Sequence, residues 1–200
     1  MKAFIFSGLN SLLKSQDRTR FLNLPSVQEC FSSAEKVLAE KFDVTVSFDD
    51  LAHGQREKIY SLENLNLTTS LIVSLQVGIA RSLIDLGVKP QWVTSISLGD
   101  VARTVISGAV DFREAISISN VQDQEKAGLN RCGESVAVLC GPSRFFSADD
   151  IQQMESLGVG ASQISPRLLN VAGDFSAMKL FRELAAEKSW RVIYLMDYPF

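Results

Sequence analysis

The sequence predicts an α/β protein made of two parts. In residues 1–127, apolar strand-like segments alternate with helical segments, an order typical of a parallel sheet covered by helices. After about residue 131 the order becomes strand, helix, strand, strand, helix, strand, which is the split βαββαβ or ferredoxin-like unit. We therefore expect a larger parallel-sheet subdomain in residues 1–127 and a ferredoxin-like subdomain in residues 128–196. Residues 197–200 are expected to begin a return to the larger subdomain.

The larger subdomain begins with an apolar strand, Lys2–Phe6, which ends at Ser7 and Gly8. A helical stretch with a charged face follows. Apolar residues at helical spacing then predict a second helix over Val27–Lys41. The segment Asp43–Leu51 is expected to be extended and to end in an acidic turn.

A long helix is predicted over Thr68–Asp85, where apolar and small residues form one stripe, and Gly87 ends it. The stripe consists of Leu71, Leu75, Gly78, Ile79, Ser82 and Leu83. After Pro90 the sequence predicts a short strand, Trp92–Thr94, whose tryptophan should pack in the core. A tight turn and a helix from about Gly99 to Ser107 complete this region.

Ser97 lies in the turn between that strand and that helix. At such a corner a serine oxygen projects at the helix N-terminus, where free backbone N–H groups can bind an oxyanion. The hydrolase pattern is G-x-S-x-G, whereas residues 95–99 read Ser-Ile-Ser-Leu-Gly. Because the serine and the second glycine of the pattern are present, we expect the parallel-sheet subdomain to be hydrolase-like. By itself the motif leaves two interpretations open, a nucleophile and a polar turn with a capping serine.

The elements of the second subdomain follow from strand and helix patterns of ordinary length. They are the strand Ser135–Cys140, the helix Ala148–Leu157 capped by Ser147, the strands Ala161–Ile164 and Leu168–Ala172, the helix Phe175–Lys188 and the strand Arg191–Leu195. Met178 and Phe181 are expected in its core.

Composition excludes several classes of partner. The net charge is −3 and no basic run occurs, so nucleic acid is not expected as a partner. The apolar runs are shorter than a membrane span, and the N-terminal segment has no signal-peptide cleavage site, so no membrane is expected. The three cysteines lack metal-ligand spacing, which favours free thiols, no bound metal and a cytoplasmic location.

Several motifs resemble the acyltransferases that load acyl groups from coenzyme A onto acyl carrier proteins. That family opens with F-x-G-Q-G-S-Q, and residues 6–12 here read Phe-Ser-Gly-Leu-Asn-Ser-Leu. Its elbow motif, L-x-x-x-G-V-x-P-x-x-V-x-G-H-S-L-G-E, is similar to residues 83–100. Malonyl-CoA:acyl-carrier-protein transacylases and polyketide-synthase acyltransferase domains belong to this family, and a ferredoxin-like insert is one of its features.

The resemblance implies a covalent mechanism that uses acyl-coenzyme A as substrate and needs no cofactor. Ser97 would be the nucleophile, and the backbone N–H groups of Leu98 and Leu9 would form the oxyanion hole. An acyl carrier protein would receive the acyl group, in polyketide or fatty-acid biosynthesis.

The residue that would bind the acyl donor is the first point at which this sequence departs from the family. The family's arginine, which binds the carboxylate of malonyl, corresponds to Gln122 in the register of the motifs. A neutral amide cannot form the bidentate charged pair that a carboxylate requires. We therefore expect an acyl group without a carboxylate, as in the related acyl hydrolases that clear carrier-bound chains. A shift of register leaves Arg113 or Arg131 as an alternative.

The general base is the second departure. Ile96 replaces the family's histidine beside the serine, and the family's base histidine would come directly after Phe200. The only histidine, His53, matches no catalytic position of the family. Three hypotheses follow. The chain is a fragment with an incomplete sheet, or a natural half whose partner chain supplies the histidine, or a catalytically degenerate homologue that binds carrier proteins.

Overall fold

The computed structural model describes residues 2–12, 15–126 and 132–199, and the side chains of residues 10, 15–17, 57, 62, 121–126, 132, 196, 198 and 199 lie outside that description. The chain divides into two compact units, Met1–Glu125 and Lys126–Phe200. Each unit combines helices with strands, which confirms the α/β class.

Unit 1 is mainly helical. Its helices are α1 (Ser15–Leu22), α2 (Pro25–Phe42), α3 (Phe48–His53), α4 (Arg56–Ile59), α5 (Leu65–Asp85), α6 (Gly99–Ile106) and α7 (Phe112–Lys126), with 3-10 turns at Leu9–Ser11 and Leu62–Asn64. Large apolar side chains from several of these helices are fully buried and form the core of the unit. They include Leu22, Phe31, Leu38, Phe48, Ile59, Leu71, Ile72 and Ile116.

Helices α2 and α5 pack closely because Gly78 has no side chain. A Cβ atom on Gly78 would lie 2.6 Å from the Cα atom of Val27, which is too close for any larger residue. Helix α5 is long and apolar enough to cross a membrane by length and composition, and 56% of its most apolar window is buried inside the protein. Such burial is typical of the core helix of a folded domain.

Two parallel strands, β1 (Ala3–Phe6) and β2 (Trp92–Ser95), form the sheet of unit 1 in the described residues. Ala3 pairs with Trp92 and Phe6 with Ser95, and the N–H of Ile96 donates to the carbonyl of Phe6 over 3.0 Å. The pairing brings the carboxyl end of β1 beside the turn that follows β2, because the strands of a parallel pair end at the same edge.

Unit 2 has four strands and two helices: β3 (Cys132–Leu139), α8 (Ala148–Ser156), β4 (Gly160–Ser165), β5 (Leu168–Asp174), α9 (Phe175–Glu187) and β6 (Arg191–Pro199). The strand order is β4-β5-β3-β6 and every neighbouring pair is antiparallel. This order and these directions are those of a ferredoxin-like βαββαβ unit.

The core of unit 2 lies between its sheet and its helices. Val136, Val138, Leu169 and Val171 face Met154, Met178, Phe181 and Trp190 in one buried cluster, so Met178 and Phe181 occupy the core as predicted. Both helices have side-chain caps. Ser147 and Asp150 form a capping box at α8, and the Asp174 carboxylate accepts from the N–H of Ala177 at α9.

Three local expectations differ from the structure. Phe48–Leu51 is helical rather than extended, because the Ser47 hydroxyl caps α3 by accepting from the N–H of Asp50. Trp92 is 65% exposed rather than packed in a core, since nothing in the described part of unit 1 covers that face of β2. Residues 197–199 continue β6 instead of starting a return, because β3 begins at Cys132 and pairs with Pro199.

Candidate active site

Ser97 occupies a strained corner between β2 and α6. Its φ angle is +54°, in the left-handed region that costs a residue with a side chain about 1–2 kcal/mol. The residue is exposed, and the helix begins two positions later at Gly99. A non-glycine residue with such a backbone at a strand-to-helix turn is the geometry of a nucleophile elbow. The structure thus places Ser97 as the motif predicts.

Gly99 allows the start of α6 to lie against the end of β1. A Cβ atom on Gly99 would overlap the carbonyl oxygen of Phe6 and lie 2.8 Å from that of Ser7. Gly8 makes a similar approach to Ser97, since a Cβ atom there would lie 3.3 Å from the Ser97 Cβ and 3.8 Å from its Oγ. The two glycines therefore bring the residue 7–9 loop into contact with the serine corner.

Two residues at this corner carry the backbone N–H groups predicted to form an oxyanion hole. Leu98 is the N-cap residue of α6, and Leu9 opens the 3-10 turn that follows β1. The first N–H groups of a helix have no partner inside the helix, and the helix dipole adds partial positive charge there. The elements that carry Leu98 and Leu9 meet beside Ser97. The assignment of these two N–H groups to an oxyanion hole stays a prediction.

Tyr60 and Gln76 hold the loop that carries Leu9. The Tyr60 hydroxyl donates to the Leu9 carbonyl over 2.9 Å and accepts from the Leu12 N–H over 3.2 Å. Burial raises the pKa of Tyr60, so its hydroxyl keeps the proton that it donates. The Gln76 side-chain nitrogen donates to the Ser7 carbonyl over 2.8 Å and to the Ser11 hydroxyl over 3.2 Å.

Sequence reasoning missed both anchoring residues. Gln76 had a weak signal, as a polar residue within the apolar sequence of α5. Tyr60 had none, because it belongs to no motif and its partners lie far away in the chain.

A polar cluster fixes the first turn of α6. The Ser95 hydroxyl donates to the Asp100 carboxylate over 2.5 Å, and the Arg103 Nε lies 3.0 Å from both groups. The Ser95 hydrogen bond, followed by that of Arg103, lowers the pKa of Asp100, which stays ionised at neutral pH. A carboxylate in the first turn also complements the helix dipole.

The described residues place no histidine at the corner. Ile96, which precedes Ser97, is 63% exposed. His53, the only histidine of the chain, lies at the end of α3, where its Nδ1 is 2.8 Å from the Asp49 carbonyl oxygen. Helix α3 packs against α1 and α2.

The residues considered for carboxylate binding are only partly described. Gln122 belongs to α7, but its side chain is not described. The whole of Arg131 lies outside the described residues. Arg113 forms an ion pair with Glu40 of α2 over 2.7 Å. Among the described residues, no group of three or more acidic, histidine or cysteine side chains could hold a metal ion.

This corner has the groups needed to attack a carbonyl and to stabilise the resulting oxyanion. The Ser97 hydroxyl, the two elements that carry Leu98 and Leu9, and the Asp100 carboxylate meet at this corner. The proton of the Ser97 hydroxyl has no histidine acceptor there within the described part of the chain.

Comparison with known sequences finds polyketide synthases. One component of the phenolphthiocerol/phthiocerol polyketide synthase of Mycobacterium tuberculosis is 25% identical over 171 residues, which cover 85% of this chain and 9% of that protein. The lovastatin diketide synthase of Monascus pilosus is 30% identical over 146 residues, which cover 68% of this chain and 6% of that protein. No protein-family model matches the chain.

Several solved structures that are named as acyltransferases have the same fold. The malonyl CoA-acyl carrier protein transacylase of Clostridium perfringens has a TM-score of 0.70 at 21% identity, covering 98% of this chain and 60% of that one. The loading acyltransferase of the avermectin polyketide synthase has a TM-score of 0.75 at 18% identity, and the match covers 98% of this chain and 61% of that one. MCAT from Streptococcus pneumoniae has a TM-score of 0.68 at 26% identity, and the match covers 100% of this chain and 64% of that one.

These findings confirm the resemblance and the fold. The chain shares the fold of the malonyl-CoA transacylases and polyketide-synthase acyltransferase domains, and its sequence is related to polyketide synthases. It spans less than a tenth of the synthases and less than two thirds of the solved chains.

Proposed function

We propose that this chain, which has the fold of the acyltransferase domains, is the nucleophile-bearing part of an acyltransferase. It moves an acyl group from coenzyme A to an acyl carrier protein through an ester on Ser97, in polyketide or fatty-acid biosynthesis. The observation that carries the proposal is the Ser97 corner, where a serine with φ +54° precedes α6 and the residue 7–9 loop lies against it.

The proposed reaction has two balanced steps. In the first, the Ser97 Oγ attacks the thioester carbonyl, the C–S bond breaks, and the proton of the hydroxyl passes through a base to the coenzyme A thiolate. In the second, the carrier thiol attacks the ester, its proton returns to Ser97, and the serine is free again. The Leu98 and Leu9 N–H groups stabilise the oxyanion in both steps, since each passes through a tetrahedral intermediate. In this proposal the base is supplied from outside the described residues.

We propose a donor without a carboxylate, such as acetyl or butyryl. The resemblance aligns Gln122 with the carboxylate-binding arginine of the family. The nearby alternative, Arg113, is already paired with Glu40. A malonyl group would therefore bring a negative charge without a bidentate cation to receive it.

The proposed partners are acyl-coenzyme A and an acyl carrier protein, and the proposed location is the cytoplasm. Cys30 and Cys140 are free buried thiols, a state typical of a reducing compartment.

The test is the intact mass of the full chain after incubation with acetyl-, butyryl- or malonyl-coenzyme A. We expect a mass gain of one acyl group with acetyl and butyryl donors and a much smaller gain with malonyl. Ser97→Ala should abolish the gain. Ser107→Ala is the matched control, because it removes an exposed hydroxyl at the opposite end of α6 and should keep the labelling at Ser97.

Equal or greater labelling by malonyl would contradict the proposed donor class, and labelling of Ser97→Ala would contradict the nucleophile. Loss of the ester to water, with none transferred to a carrier thiol, would identify an acyl hydrolase instead.

A second candidate is a catalytically degenerate homologue that binds carrier proteins, which the apolar Ile96 beside Ser97 favours. It predicts that Ser97→Ala leaves carrier binding unchanged and that no donor labels the chain.

A further inference from the structure

The peptide group between Gly8 and Leu9, which carries the Leu9 N–H, lies between two peptide groups that side chains hold. The carbonyl before it, that of Ser7, accepts from the Gln76 side-chain nitrogen over 2.8 Å. The carbonyl after it, that of Leu9, accepts from the Tyr60 hydroxyl over 2.9 Å. Because each peptide group is planar, the two bonds fix the Cα atoms at both ends of the Gly8–Leu9 peptide group.

Gly8 makes this restraint necessary. A Cβ atom at Gly8 would lie 3.3 Å from the Ser97 Cβ, so the close approach of the loop to the serine favours a glycine. Glycine, however, adopts a wider range of backbone angles than any other residue. The position that must come nearest to Ser97 is therefore the one that restrains its own backbone least, and other groups have to hold it.

Leu9 blocks the one rotation that the two bonds leave free. With both neighbouring peptide groups held, the Gly8–Leu9 peptide group can only turn over about the line between its two Cα atoms. Leu9 opens a 3-10 turn, in which φ is negative. Turning the peptide group over would bring the φ of Leu9 to positive values, which a residue with a branched side chain avoids. The Leu9 N–H therefore keeps one direction while both bonds are in place.

Tyr60 and Gln76 are themselves held by the interior of unit 1. Tyr60 is 3% exposed, and its hydroxyl also accepts from the Leu12 N–H over 3.2 Å. Gln76 belongs to α5, which packs against α2 and α6, and its side-chain nitrogen also donates to the Ser11 hydroxyl over 3.2 Å. Each of the two side chains thus holds the loop at two points.

We propose that Tyr60 and Gln76 are positioning residues for the oxyanion hole, and that they act by fixing the direction of the Leu9 N–H. The inference rests on the proposed function, since it takes Leu9 as an oxyanion donor. Their effect falls on the tetrahedral state, because a developing oxyanion depends more on a donor aimed at it than the bound thioester does.

The test measures how tightly the full chain binds butylboronic acid. The Ser97 oxygen forms a bond to boron, its proton leaves to water, and the boron becomes tetrahedral and negatively charged. The adduct therefore resembles the oxyanion, and ¹¹B NMR spectroscopy detects it without any turnover. We expect an adduct on the parent chain and none on Ser97→Ala.

Tyr60→Phe and Gln76→Met remove the two hydrogen-bond donors with little change in side-chain volume. Each should weaken binding of the boronate by about tenfold or more, since complete loss of one oxyanion-hole donor lowers a rate by about 100-fold or more.

Two matched controls remove similar groups elsewhere. Tyr194→Phe removes a hydroxyl that donates to Asp197 over 2.9 Å in unit 2. Gln28→Met removes a side-chain nitrogen that donates to the Leu22 carbonyl over 2.8 Å in unit 1. Both controls should bind the boronate within about twofold of the parent.

Labelling kinetics with butyryl-coenzyme A separate positioning from a general loosening of the fold. In Tyr60→Phe and Gln76→Met the maximal rate of Ser97 labelling should fall by about tenfold or more, while the half-saturating concentration stays within about twofold. A loosened fold would raise the half-saturating concentration as well.

Equal binding of the boronate by the parent, Tyr60→Phe and Gln76→Met would overturn the proposal, as would the absence of an adduct on the parent. A loss in only one variant would overturn the role of the other residue. An adduct on a parent that no acyl-coenzyme A labels would contradict only the proposed function. Labelling that both variants keep at the parental rate would contradict only the positioning role.

Discussion

The two sheets of this protein differ in how fully they are built. In unit 2, four antiparallel strands carry two helices on one face, and residues such as Leu169 and Val171 are completely buried. In unit 1, two parallel strands are described, with one face open and Ile5 mostly exposed. The candidate nucleophile lies on the less complete sheet.

The difference indicates that the two sheets contribute to stability in different ways. Unit 2 depends on its sheet, because four fully buried side chains of β3 and β5 belong to its core: Val136, Val138, Leu169 and Val171. Unit 1 depends on its helices, where α2 and α5 meet at Gly78, and its strands chiefly position Ser97. Equal substitutions in the two sheets should therefore have unequal effects on the free energy of unfolding.

The largest effect is expected for Leu169→Ala in β5. Leu169 is fully buried, so the change should lower the free energy of unfolding of unit 2 by about 2–5 kcal/mol, through lost burial and the cavity that remains. Urea unfolding followed by the fluorescence of Trp190, in a Trp92→Phe background, measures this unit alone. Leu180→Ala on α9 is the control, since Leu180 is about half exposed; an equal loss in both variants would contradict the comparison.

Asp150→Asn should lower the stability of unit 2 by about 1.5–3 kcal/mol at neutral pH, the usual value for hydrogen bonds to a charged group. Burial alone raises the pKa of Asp150, but bonds from Ser147 and Arg144 outweigh it and hold that pKa below its ordinary value. The stabilisation is therefore complete above the unfolded-state pKa of about 3.9 and is lost as the pH falls through the lower folded-state pKa.

Urea unfolding of unit 2 between neutral and acidic pH tests this dependence. Asp149→Asn is the control, because Asp149 is exposed in the same turn. A variant Asp150→Asn that stays as acid-sensitive as the parent would show that another group is responsible.

Gly99→Ala should cost about 1–3 kcal/mol in unit 1, because the new methyl group overlaps the Phe6 carbonyl and separates β1 from α6. Thermal unfolding followed by circular dichroism measures the loss, and labelling of Ser97 by acetyl-coenzyme A should decrease with it. Gly141→Ala is the control, since no described atom lies near a Cβ at Gly141. Unchanged labelling in Gly99→Ala would mean that the corner tolerates the displacement.

The smallest effect is expected for Ile5→Ala in β1. Ile5 is mostly exposed, so its truncation should change stability by less than about 0.5 kcal/mol. The same thermal measurement, made beside Leu169→Ala, compares one strand residue from each sheet. A loss of several kcal/mol would show that the open face of β1 is covered in solution.

Local sequence patterns are enough to predict the elements whose signals are local. The Ser97 corner follows from an apolar strand, a serine turn and a glycine at the start of a helix. The extended conformation predicted for residues 48–51 is wrong because Val44 and Val46 suggest a strand, whereas the cap at Ser47 decides the structure there. The N–H of Phe48 also donates to the Glu35 carboxylate over 2.7 Å, a contact between separate helices that no local pattern contains.

The residues that hold the loop of the candidate site are not predictable either, because their contacts are distant in the sequence and no local pattern contains them. Tyr60 and Gln76 hold the Leu9 loop through bonds to backbone groups, and a backbone group has no sequence signature. The exposure of Trp92 is also hidden in the sequence, since a tryptophan in a short strand is typical of a core.

The pairing of β1 with β2 has a consequence for how the protein folds. It joins the first residues of the chain to residues 92–95, while α2 to α5 lie between them in sequence and α2 packs on both α3 and α5. Pairs distant in sequence form slowly, because the intervening chain must be ordered first. In a refolding experiment the helical signal should therefore return before Ser97 regains its reactivity, so that the corner is the last part of unit 1 to assemble.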